Sequence, residues 1–124
     1  MTFVTVVNCI DGMVQMPVID FLKKRFGVDY VDCITEAAPV RILSGQTNRR
    51  QVQSILDRIE LSIAKHKSKA IAVVAHQDCV AGAADKAQQL EWLDISVKYL
   101  IGQYGTVETI GLWVGEDLTI KETP

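Results

Sequence analysis

Apolar residues fall along this chain in two alternating rhythms. Compact β-branched runs such as Phe3-Val-Thr-Val-Val7 and Ala70-Ile-Ala-Val-Val-Ala75 are separated by longer stretches whose apolar positions recur every three or four residues. The first rhythm predicts strands and the second amphipathic helices. Residues 2–8 therefore read as a first strand. A helix over about 14–26 follows, with Val14, Val18, Phe21, Leu22 and Phe26 on one face, Pro17 tolerated in its first turn and Gly27 as its stop. Residues 29–35 read as a second strand, and 36–47 as a loop punctuated by Pro39 and Gly45. A second helix starts at Asn48, an N-cap, and carries Val52, Ile55, Leu56, Ile59 and Ile63 on its inner face. It ends in Lys65-His66-Lys67, cations that suit the negative end of a helix. The third strand, 70–75, is apolar throughout, as a central parallel strand covered on both faces must be. After Gly82 a long helix runs to about Tyr104, with Leu90, Leu93, Val97, Leu100 and Tyr104 inward and Gly105 ending it. Residues 107–114 read as a fourth strand, and Gly115-Glu-Asp as a turn into a short antiparallel fifth, 118–121.

This alternation predicts a single α/β domain over 1–124, built on a mostly parallel sheet of four to five strands with helices on both faces. A chain of 124 residues buries enough surface to need neither a metal nor a disulfide merely to hold its core. Its net charge of −2 argues against nucleic acid or an anionic membrane as a main partner, since no basic stripe is present. The groups Lys23-Lys24-Arg25, Arg49-Arg50 and Lys65 to Lys69 read as solvated helix faces. No apolar run is long enough to span a bilayer, and the N-terminus reads as a strand rather than a signal peptide. Three cysteines, an odd count, do not form a disulfide framework, so a cytoplasmic location is expected.

Two clusters carry the chemistry. Cys9-Ile-Asp11 follows the first strand and His76-Gln-Asp-Cys79 the third. Thiolates with an imidazole are what tetrahedral zinc prefers. If the two strands are parallel neighbours, their carboxyl ends deliver Cys9, His76 and Cys79 to one point, where open α/β sheets bind ligands. The fourth position is then left to water or to Asp11. Other candidates have plainer readings. Cys33 reads as a small buried hydrophobe, His66 as a solvated residue, Asp78 as a side chain capping its turn, and Trp92 and Trp113 as packing residues.

Cys9-Ile-Asp-Gly-Met13 and Ala75-His-Gln-Asp-Cys79 resemble the Cys-x-Asp-x-Arg and His-x-x-Cys zinc motifs of β-class carbonic anhydrases. Arg41-Ile-Leu-Ser-Gly45 is similar to that family's Arg-Asn-Ala-Gly segment, and 110–119 to its terminal strand pair. The resemblance implies a β-carbonic-anhydrase-like fold and a Zn²⁺ cofactor on Cys9, His76 and Cys79. It also implies reversible hydration of CO2, or of a related small heterocumulene, by zinc-bound hydroxide, with Asp11 as the catalytic aspartate. Against the family, this chain is short and lacks its N-terminal helical arm. Its dyad arginine is Met13, and the glycine after the second cysteine is Val80. Met13 cannot clamp an aspartate through a paired contact; Arg41, Arg49 and Arg50 are the basic residues available to replace it from other loops.

Three readings stay open at this point: a zinc lyase, a non-catalytic or regulatory zinc domain with Asp11 as fourth ligand, and a metal-free module. The last is disfavoured by the absence of a Gly-rich phosphate loop after the first strand. Val14, Met13 and Met16 would line a pocket for a small apolar gas. The family builds its site at a dimer interface, so a homodimer or larger homo-oligomer is expected, with CO2 and bicarbonate as small-molecule partners.

Overall fold

The computed structural model of the protein describes residues 1–79, 81 and 84–123. The chain runs β1 (Phe3–Cys9), a 3-10 turn (Gly12–Val14), α1 (Gln15–Phe26), β2 (Tyr30–Glu36), α2 (Pro39–Gly45), α3 (Arg49–His66), β3 (Ala70–His76), α4 (Lys86–Gln103), β4 (Glu108–Val114) and β5 (Ile120–Thr123). The five strands form one sheet in the order β2-β1-β3-β4-β5. Four are parallel, and β5 pairs antiparallel with β4. This is the expected α/β fold.

The period-2 alternation of β3 explains the two-sided core. Ala70, Ala72 and Val74 pack on one face with Val4, Val6, Val18 and Leu22, beneath α1. Ile71, Val73 and Ala75 pack on the other with Ile55, Ile59, Leu93 and Leu100, beneath α3 and α4. All seven residues of β3 are buried, so the strand has no polar face. Asn48 caps α3 as expected, its side chain accepting from Gln51 N at 3.1 Å. Gly27 closes α1 at φ 62°, a left-handed position that costs glycine little.

Four details depart from the sequence reading. The segment 36–47 is not all loop: Pro39–Gly45 forms α2, with Pro39 at the helix start where its missing N–H is harmless. Helix α4 begins at Lys86, because Asp85 caps it by accepting from Gln88 N at 2.8 Å. Val80 and Gly82, to which an altered turn and a helix start were ascribed, lie outside the described residues. Cys33 is exposed rather than buried, since β2 is an edge strand of the sheet. His66 is exposed but engaged: its Nδ1 lies 2.7 Å from Asp32 Oδ2 and its ring stacks on Phe3 at 4.0 Å. Trp113 is a packing residue in the core as expected, and Trp92 packs half-buried against it. Among the described residues, no helix is long and apolar enough to cross a membrane.

Leu22 is fully buried and anchors α1 to the sheet. Leu22→Ala should lower stability by about 2–5 kcal/mol in denaturant unfolding, the range for a large-to-small change in a packed core.

Candidate metal centre

Strand register sets the site. Val7 of β1 pairs with Val73 of β3, so the carboxyl ends of these neighbours stand side by side, with Cys9 and His76 as their last residues. The turn after β3 returns Cys79 to the same place. The backbone N–H of Gln77 donates to Val114 O at 2.9 Å, tying that turn to β4. Asp78 turns the chain through its backbone at φ 55°, rather than as a side-chain cap, and its side chain is exposed.

Cys9, His76 and Cys79 are all buried, and one ligating atom from each lies within 4.8 Å of the others. Cys9 Sγ is 3.9 Å from Cys79 Sγ. Two thiolates sharing a tetrahedral ion with metal–sulfur bonds of about 2.3 Å stand about 3.8 Å apart, so the pair is already at ligating separation. His76 Nδ1 lies 2.9 Å from Gln77 O, which makes it the protonated nitrogen and leaves Nε2 with a free lone pair. Nε2 is buried without a hydrogen-bond partner. With the Cys9 sulfur as its neighbour and no nitrogen or oxygen partner, this nitrogen is available to a cation. The donor set therefore fits a soft, tetrahedral ion.

The electrostatics agree. Burial opposes ionisation of Cys9, but His76 and the backbone N–H groups of Ala38 and Asp11 outweigh it and bring the thiol from 9.0 down to about 7. Burial likewise opposes a charged His76, and the Cys9 sulfur with the Gln77 carbonyl outweighs it, raising the imidazole. Each group favours the charged form of the other. Ala38 reaches Cys9 because it sits at φ 54°, in the left-handed region, as the cap of α2.

Several residues that build the centre had not been singled out from the sequence. Asn8 is fully buried; its Nδ2 donates to Val14 O at 3.0 Å and its Oδ1 accepts from Cys9 N at 2.8 Å. Gln15 Nε2 donates to Cys9 O and to Asp11 O. Together these amides hold the Cys9-Ile-Asp11 loop. Asn8 was legible as a polar residue inside an apolar run, whereas nothing in the pattern marked Gln15.

Asp11 stands apart from the three candidate ligands. It is not in the ligating group, and its Oδ1 accepts from the Met13 backbone N–H at 2.9 Å, capping the 3-10 turn. It lines a small cavity of about 100 Å³ together with His76, Met13, Val14, Asp78 and Glu116. Met16 is not among the lining residues. Arg41, Arg49 and Arg50 do not reach this cavity: Arg41 lies 6.0 Å from the Trp92 ring and Arg49 bonds Gln46.

An α/β sheet with a Cys2His group at its strand ends is a domain whose residues could hold a metal ion. A family model described as "Putative carbonic anhydrase" matches residues 1–123, and the chain belongs to that family. Among solved structures, the chain is similar to one from work on two tetrameric β-carbonic anhydrases of the filamentous ascomycete Sordaria macrospora. The likeness has a TM-score of 0.62 and 15% identity, covering 96% of this chain and 79% of the other, and it supports the fold. No curated protein matches.

Cys79→Ser should reduce bound metal from about one ion per chain to near zero by elemental analysis, since a three-donor set loses a thiolate. Metal affinity should weaken as pH falls through about 7, because protons then reclaim the Cys9 thiolate, and the raised His76 imidazole must also give up its proton to ligate. Competition with a chromogenic chelator between pH 6 and 9 measures this. Affinity that strengthens on acidification would contradict the ligand assignment.

Proposed function

We propose that the protein is a zinc-dependent lyase of the β-carbonic anhydrase type, catalysing reversible hydration of CO2 or of a related small heterocumulene. The observation that carries this reading is the placement of Asp11. With Oδ1 held by the Met13 N–H, the carboxylate stays outside the Cys9, His76 and Cys79 group and would leave the fourth position of a bound ion to water. The resemblance assigns that restraint to an arginine side chain; here a backbone donor two residues on performs it.

Bound zinc would supply the Lewis acidity that makes water ionise near neutral pH. The rest is the work of the chain. Cys9, Cys79 and His76 Nε2 would hold the ion, and the Gln77 carbonyl accepts from Nδ1 and so fixes the imidazole tautomer. Asp11 would accept a hydrogen bond from the attacking hydroxide and so orient its lone pair toward the substrate carbon. Val14 and Met13 give the cavity an apolar wall suited to an uncharged gas, and its volume of about 100 Å³ admits only a molecule of a few atoms. We further propose that residues 1–124 act as one domain in the cytoplasm, whose reducing conditions keep the three thiols available. Ile10, Met13 and Met16 are 67%, 64% and 62% exposed beside the site. Such an apolar patch is suited to a second copy of the chain, in keeping with a tetrameric relative.

A second reading has its own support. Met13 cannot pair with Asp11 through its side chain, and Asp11 lines the same cavity as His76. A turn of the carboxylate onto the ion would close the site and make the domain a non-catalytic zinc binder.

Stopped-flow CO2 hydration from pH 6 to 9, on protein of assayed zinc content, separates the two. The lyase reading expects activity that rises with pH and disappears on zinc removal. Asp11→Asn should lower it by about 10²-fold or more while zinc content is unchanged. Stoichiometric zinc with no activity at any pH would establish the closed site instead.

A further inference from the structure

The cavity beside the metal group has an unusual charge balance. Asp11, Asp78 and Glu116 line it, and among the described residues no lysine or arginine does. The single position at which the resemblance places a cation beside the catalytic aspartate is Met13, whose side chain is exposed and uncharged. His76, 3% exposed and with Nε2 unpaired, forms part of the same wall. This ties the acidic rim to a ligand position rather than to open solvent.

The rim is built, not incidental. Glu116 sits in the turn between β4 and β5, which is closed by Gly115 N donating to Thr119 O at 3.0 Å and Leu118 N donating to Gly115 O at 2.9 Å. Asp117 Oδ1 accepts from Thr119 N at 3.0 Å within the same turn. Two non-glycine residues in the left-handed region border the cavity, Leu118 at φ 65° and Asp78 at φ 55°. Leucine rarely takes that conformation, and strained backbone concentrates at functional rims.

We propose that Asp78 and Glu116 are specificity-determining residues that make this cavity bind anions weakly and favour uncharged small molecules. The inference rests on the hydration reading above and names the charge class of what enters and leaves. Any occupant of a cavity this small lies within a few ångströms of its wall, so a rim carboxylate acts on it directly. One unit charge at roughly 6–8 Å, in the near-aqueous dielectric around two exposed carboxylates, changes the affinity of an anion roughly three- to tenfold. In hydration the substrate is neutral and the product an anion. The rim then leaves entry untouched, hastens release of the product and weakens inhibition by simple anions.

The test uses the full-length chain loaded with cobalt(II) and titrated with thiocyanate at constant ionic strength, followed by the visible cobalt spectrum. Glu116→Gln and Asp78→Asn should each tighten thiocyanate binding roughly three- to tenfold, and Glu116→Lys should tighten it further. Asp57→Asn, which removes an exposed charge from α3, should leave binding unchanged. If Glu116→Lys does not fold, Glu116→Gln carries the same comparison. Equal affinity in wild type and both rim variants overturns the proposal, as does a matching gain from Asp57→Asn. CO2 hydration on the same preparations keeps the two readings distinct. Charge-dependent thiocyanate binding without hydration overturns only the lyase reading, whereas hydration without charge dependence overturns only the rim.

Discussion

The parallel pairing of β1 with β3 is the constraint on which the rest of this structure depends. Parallel neighbours end at the same edge of a sheet, so the last residue of each strand projects into one space. Cys9 and His76 are those last residues. Because β3 is packed on both faces, a slip of one residue would exchange the residues that fit beneath α1 with those that fit beneath α3 and α4. The hydrophobic core thus sets the position of the ligating atoms to within a fraction of a strand step. Chemistry at the edge inherits its precision from packing in the middle.

Once the strands are in place, the local polar groups decide what the centre can do. Asn8 and Gln15 use their amides on the backbone around Cys9 and Asp11, so the loop carrying two chemical groups is held by buried hydrogen bonds rather than by apolar contact. The Cys9 and His76 pair stabilises charge in a buried place, which prepares the site to exchange protons for a metal ion. Asp11 is governed by a weaker device, one hydrogen bond to a backbone N–H. A paired guanidinium would hold a carboxylate more firmly. Whether Asp11 stays clear of the Cys9, His76 and Cys79 group rests on that single backbone contact, since the Met13 side chain offers no donor.

Much of the architecture was legible beforehand. All five strands appear, and the long helices lie where apolar residues recur at spacings of three and four. The misses have physical causes. Helix α2 is only seven residues long, too short for periodicity to show, and its Pro39 and Gly45 read as breakers although Pro39 merely begins it. The start of α4 was set by the Asp85 cap rather than by Gly82. Cys33 and His66 were misjudged because neither edge position nor a partner distant in sequence can be seen from local pattern: Asp32 and His66 are 34 residues apart.

The sequence by itself determined the fold class and which residue types could ligate a metal. Strand periodicity is local, and Cys-x-Asp and His-x-x-Cys each lie on one short turn. Only the tertiary structure decided that Cys9, His76 and Cys79 share one buried point and that Asp11 is tethered to the Met13 N–H. It also decided that no basic side chain among the described residues balances the carboxylates around the cavity. Those are facts about distance between segments far apart in the chain. They are set by which strands pair, in what register, and by how the loops at their ends are bonded, none of which is encoded in any one segment.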